Sequence, residues 1–146
     1  MLNFLAWGPK RKVESWPIYV INGYKFQIII WNEGMNSSNY DVYVRGTDGQ
    51  LEYDFYGMLS EIIQLEYTDI LSMKLVLFKC DWFDNTPYIG TRVHKKYEIV
   101  EVSQSKRYTK VYNPFIFAQQ AEQVYFTTYP EGHRGWLAIM KTKACS

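Results

Sequence analysis

The sequence predicts a mainly β domain: a small SH3-like barrel or a strongly bent antiparallel sheet with one short helix, the alternative being an open α+β sheet. Three observations carry this expectation. First, Val76, Phe78, Cys80 and Trp82 alternate along Lys74-Leu75-Val76-Leu77-Phe78-Lys79-Cys80-Asp81-Trp82-Phe83-Asp84. That is the period of two of a half-buried strand. Leu75, Leu77 and Phe83 make the other face partly apolar, among Lys79 and Asp81. The strand is therefore expected to be central, with its far end reaching solvent. Second, Asn22-Gly23 separates Ile18-Tyr19-Val20-Ile21 from Tyr24-Lys25-Phe26-Gln27-Ile28-Ile29-Ile30-Trp31. Asn-Gly supplies the two positive-φ residues of a type I′ turn, which marks a hairpin. Third, aromatic residues make up 18% of the chain, 13 of them tyrosines. Strands accommodate such side chains, with an apolar body inside and a polar tip in water.

The remaining elements follow in order. Residues 1–14 carry Phe4, Leu5 and Trp7, then Gly8-Pro9 and Lys10-Arg11-Lys12, and read as an N-terminal arm before a single domain over 15–143. After the hairpin, residues 35–40 are small and polar, a loop. Residues 41–45 form a short strand, 46–49 a turn, and 51–55 its returning partner. Residues 55–67 fit either a helix or a strand. Gly57 would cost a helix about 1 kcal/mol against Ala, and β-branched and aromatic residues bracket it, so the strand is preferred. Leu59, Ile63, Leu65 and Tyr67 would then share a face. Residues 85–90 are a turn-rich loop. Residues 97–103 read as a strand with broken alternation, a sign of a bulge, and 104–110 as a basic turn. Asn113-Pro114 can cap a short helix, with Pro at its first position, running to Ala121. Residues 123–129 and 136–140 are the last strands.

The totals bound the function. A chain of 146 residues buries a core without disulfides or metals. Two cysteines, Cys80 and Cys145, fit a reducing compartment. No apolar run is long enough to span a membrane, and no secretory leader is legible. Net charge is +1, but charge is segregated. Asp48, Glu52, Asp54, Glu61 and Glu66 form an acidic strip free of Lys and Arg. Arg92, Lys95, Lys96, Lys106, Arg107 and Lys110 form a basic one against Glu98 and Glu101.

Catalytic chemistry is not expected. Cys80, Cys145, His94 and His133 lack metal-ligand spacing, and no base accompanies a Ser or Cys nucleophile. A metal-dependent nuclease would have to draw on Asp81 and Asp84 with Glu61 or Glu66, residues that also suit turns. The expectation is no catalytic residues, no metal and no cofactor. Binding is the better reading. Arg92, His94, Lys95, Lys96, Tyr97, Lys106, Arg107, Tyr108 and Lys110 interleave cations with tyrosines, a mix that binds phosphates and stacks bases. The plainer reading is a solvated face that keeps a sheet edge from sticking. Trp82, Phe83 and Tyr88 could form an aromatic pocket for a methylated lysine, unless Trp82 fills the core. A homodimer joining acidic to basic strips is the competing class.

Several ordered blocks carry a resemblance: Trp7-Gly8-Pro9, Val20-Ile21-Asn22-Gly23-Tyr24-Lys25-Phe26, Tyr56-Gly57-Met58-Leu59-Ser60-Glu61-Ile62-Ile63-Gln64-Leu65-Glu66-Tyr67, Val76-Leu77-Phe78-Lys79-Cys80-Asp81-Trp82-Phe83-Asp84, Gly90-Thr91-Arg92-Val93-His94-Lys95-Lys96-Tyr97 and Asn113-Pro114-Phe115-Ile116-Phe117-Ala118-Gln119-Gln120-Ala121-Glu122-Gln123-Val124-Tyr125. Together they resemble the domain of unknown function in the C-terminal part of plant CACTA-type (En/Spm-like) transposon proteins. The likeness runs from Trp7 to Lys143. Gln27 stands where that family often has His, and Asn113 where Asp is usual. The resemblance implies a non-catalytic accessory domain lying downstream of a transposase core, in the nucleus, with DNA or a chromatin-associated protein as partner.

Overall fold

A computed structural model of the protein describes residues 11–29, 39–46, 54–67, 73–94, 96, 98–108, 115–128 and 135–141. The strands are β1 (Arg11–Trp16), β2 (Ile18–Ile21), β3 (Tyr24–Gln27), β4 (Asp41–Val44), β5 (Phe55–Tyr67), β6 (Met73–Trp82), β7 (Thr91–Val93), β8 (Val100–Ser103), β9 (Phe115–Phe117), β10 (Ala121–Thr128) and β11 (Trp136–Lys141). The domain is mainly β and antiparallel, and no α-helix occurs among the described residues. Among the described residues nine strands form one sheet, ordered β7-β8-β11-β10-β4-β5-β6-β9, with β1 also paired to β5. The path ends at β7 and β9, and no strand pair among the described residues closes it into an SH3-like barrel.

β5 organises the sheet. Along one edge it pairs with β6 from Gly57 to Tyr67. Its other edge is shared: β4 pairs with Phe55–Met58 and β1 with Ile62–Tyr67. The register against β6 slips between Leu59 and Glu61, and the Ser60 hydroxyl donates to the Lys79 carbonyl at 3.0 Å. This bulge changes the strand's phase. Leu59 and Ile62, not Ile63, therefore lie in the same core, which corrects the expected face.

The sheet is packed on both sides. Phe26, Val42, Val44, Phe55, Leu59, Phe78, Cys80 and Trp82 lie in one cluster, against which the β2–β3 hairpin places Tyr19, Ile21 and Tyr24. Tyr43, Tyr56, Phe83, Val102, Val124, Leu137 and Ile139 form the other. All four residues of β4 are buried as a result, the pattern of a strand covered on both faces.

The central strand and the hairpin match expectation. Phe78, Cys80 and Trp82 are buried in one core, while Asn22 and Gly23 both have positive φ. The exposed end of β6 is its start, at Met73 and Lys74, not its finish at Trp82. The predicted helix is a correction. Phe115–Phe117 pair with β6, and only a 3₁₀ turn, Ala118–Gln120, follows. Phe117 and Ala118 pack there as strand and turn residues. β8 begins at Val100, after a tight turn in which Glu98 N–H donates to the His94 carbonyl, so the strand is shorter than 97–103. Arg11–Glu14 belong to β1 and not to an arm.

Candidate binding surface

The sheet brings the basic strip to one corner, at β7, β8 and their flanking loops. β6 runs into Phe83, Asp84 and a loop that returns to β7. Asp84 builds this loop. Its Oδ1 accepts from the Thr86 N–H at 2.9 Å and the Thr86 hydroxyl at 2.7 Å. Its carbonyl accepts from the Thr91 hydroxyl. Gly90 is required where the loop closes, because a Cβ there would lie 1.9 Å from the Asp84 carbonyl oxygen. Gly90 and Thr91 N–H groups both donate to the Thr86 carbonyl, and Ser103 N–H donates to that of Gly90. The tip, Pro87, Tyr88 and Ile89, is thrust outward. Tyr88 is 89% exposed, and its φ of 65° is unusual for a non-glycine residue.

Arg92 and Arg107 are spent on the fold. Arg92 faces Glu101 across the β7–β8 ladder. Its Nη2 lies 3.4 Å from Oε2 of Glu101, a side chain with no exposed surface, and its guanidinium stacks 3.9 Å from the Trp136 ring. Such a buried carboxylate needs its cation. Arg107 pairs with Asp81 at 3.2 Å, donates to the Gln104 carbonyl, and covers the Phe83 ring at 4.3 Å. Lys96 and Lys106 are exposed. They lie in the segments at opposite ends of β8, a strand about 10 Å long. His94 is half-buried and its Nδ1 accepts from the Lys96 N–H at 3.3 Å. Lys95, Tyr97 and Lys110 lie outside the described residues.

Two expected roles are corrected. Tyr108 is not a surface stacking residue: its ring packs edge-on against Phe55 at 5.2 Å, and its N–H donates to the Trp82 carbonyl. Trp82 and Phe83 do not share a pocket with Tyr88. They belong to the two different cores, as successive residues of a strand must point to opposite faces. Of the acidic strip, Asp48 and Glu52 lie outside the described residues. The Asp54 carboxylate accepts from the Tyr43 hydroxyl at 2.8 Å and the Gly46 N–H, while Glu61 is exposed. Burial, then Asp54, pushes the Tyr43 phenol up to about 12.

Reactive groups at this corner have structural partners. Asp81 and Asp84 hold Arg107 and Thr86. No cluster of His, Cys, Asp and Glu able to hold a metal occurs among the described residues. Burial pushes the Cys80 thiol well up, away from its nucleophilic form. Among the described residues, no helix is long and apolar enough to cross a membrane.

What the sheet and this corner define is a β domain with an internally hydrogen-bonded, exposed surface loop. The chain belongs to the family described as domain of unknown function (DUF4216), whose model matches residues 63–139, more than half of its length. No curated protein and no solved structure matches it.

Proposed function

We propose that the domain is a non-catalytic binding module that contacts DNA through the β7–β8 corner. In this reading it is the nuclear accessory domain of a plant transposon-derived protein, on a strongly bent sheet. The observation that carries it is Tyr88, held out by the Asp84–Gly90 turn network, with the exposed Lys106 on the segment whose carbonyl accepts from the Asp84 N–H and the exposed Lys96 at the far end of β7. A rigid aromatic ring offers a stacking surface at low entropic cost, and lysines beyond it meet phosphates as point charges. The site is smaller than the full basic strip, because Arg92 and Arg107 are already neutralised.

The test is fluorescence anisotropy with single- and double-stranded oligonucleotides across a salt series. Binding weakens with salt, and Lys96→Ala/Lys106→Ala lowers the slope by about one unit per lysine. Tyr88→Ala weakens single-strand binding at every salt, by about 1–3 kcal/mol if one base stacks. Absence of binding, or variants that bind as wild type does, refutes the reading. Arg92→Ala is unsuitable, since it strands Glu101.

A chromatin-associated protein is the second reading. It is favoured by Ile89, next to Tyr88 in the chain, and by Val93 at the end of β7, both more than half exposed. Binding to such a partner would be lost in Tyr88→Ala/Ile89→Ser and kept in Lys96→Ala/Lys106→Ala.

A further inference from the structure

The ends of the sheet path, β7 and β9, are each three residues long. Short edges of that kind give a second chain little to pair with. β1 is different. It is six residues long and pairs with β5 along one edge. Its other edge meets no partner strand among the described residues. Such an edge presents a row of backbone donors and acceptors to any strand that can approach.

We propose that β1 is a homodimerisation strand, and that a second copy of this chain adds its own β1 antiparallel across a two-fold axis at Val13. The charge pattern selects that occupant. Lys12 and Glu14 project to one face, two residues apart, with 3.0 Å between Nζ and Oε1. An edge guarded against self-association carries charges of one sign, which repel the same edge of another copy. Here the signs alternate. In the register centred on Val13, Lys12 faces the partner's Glu14 and Glu14 faces the partner's Lys12. Four charges then form a rectangle of opposite neighbours. A two-fold axis demands this self-complementarity.

The opposite face supplies apolar contact. Val13 is 55% exposed, beside the buried Leu65 with which it is in register. In the dimer Val13 meets the partner's Val13. Two β6–β5–β1 layers become one continuous sheet, and the open edge of β1 is closed. This surface does not involve the β7–β8 corner, so the dimer and the nucleic-acid reading stand or fall separately.

The experiment is sedimentation of the full chain at low salt, from micromolar to hundred-micromolar concentration. Wild type is compared with Lys12→Glu, Glu14→Lys and the charge-swapped double variant. Wild type dimerises. Each single variant places like charges opposite one another and weakens the dimer at least tenfold. The swap restores it. Circular dichroism confirms that all four fold. Hydrogen exchange on wild type gives an independent readout, in which amides of residues 11–16 gain protection as concentration rises. A wild type monomeric throughout, single variants that dimerise normally, a swap that fails to restore, or β1 exchange independent of concentration would each overturn the proposal.

Discussion

At the scale of the residue, Asp41 ties the start of β4 to β10. β10 pairs with β4 only as far as Gln123 and then continues along β11. The Phe126 N–H beyond that point is taken by Asp41, whose Oδ2 accepts it at 3.0 Å. Asp41 is 3% exposed, and its Oδ1 has no hydrogen-bond partner. Burial pushes its carboxyl up from 3.8 to about 7, against the smaller opposing effect of the Phe126 bond. The sign of the pH effect follows. Below 3.8 folded and unfolded chains are both protonated. Between there and 7 only the folded chain keeps the proton. Raising the pH through this window therefore removes stability, by up to about 1.4 kcal/mol per unit. Asp41→Asn keeps an acceptor for Phe126 and abolishes that slope. Urea denaturation at pH 5 and pH 8 measures it; an unchanged slope in the variant would refute the assignment. Sequence shows Asp41 only as a strand's first residue. Its burial comes from β10, 85 positions away from it at Phe126.

At the scale of the element, Gly57 shows how a strand can require a residue that strands disfavour. It sits opposite Trp82 on β6. A Cβ on Gly57 would lie 2.7 Å from Trp82 Cε3 and 2.9 Å from the Asp81 carbonyl oxygen. The Trp82 ring cannot move aside easily, because it packs edge-on against Phe55 at 5.9 Å within the core. Gly57→Ala therefore overpacks a fixed site and should cost about 1–3 kcal/mol. Thermal unfolding followed by circular dichroism measures the loss, and a variant as stable as wild type would contradict the packing described. The choice of strand over helix for residues 55–67 was legible in sequence. The bulge after Leu59 was not, because a one-residue slip leaves no mark in the alternation except an apolar pair, Ile62-Ile63, that fits either phase.

At the scale of the molecule, β4 is the keystone. It lies between β10 and β5 and is buried on both faces. The family match begins at residue 63, part-way along β5, and so omits β1 to β4. The strands inside the match cannot form the observed sheet alone, since β10 and β5 are joined in it through β4. A fragment of residues 63–139 is expected to lack cooperative unfolding and a dispersed amide spectrum, whereas the full chain shows both. A folded fragment would mean that β4 adds to an already stable sheet.

The sequence by itself determined the local structure: the Asn22-Gly23 hairpin, the strand preference of residues 55–67, and a β6 apolar on both faces. These depend on residues near one another in the chain, where periodicity and turn chemistry act directly. Only the tertiary structure decided which charges are spent on the fold. Arg92 and Arg107 look like surface cations in sequence, yet cross-strand register sets one against the buried Glu101 and a bridge at Phe83 sets the other against Asp81. The helix expected after Pro114 became a strand for the same reason, because Phe115–Phe117 found the free edge of β6. Pairing partners distant in sequence fix both the hydrogen bonds and the desolvation of each group, and no local pattern records them.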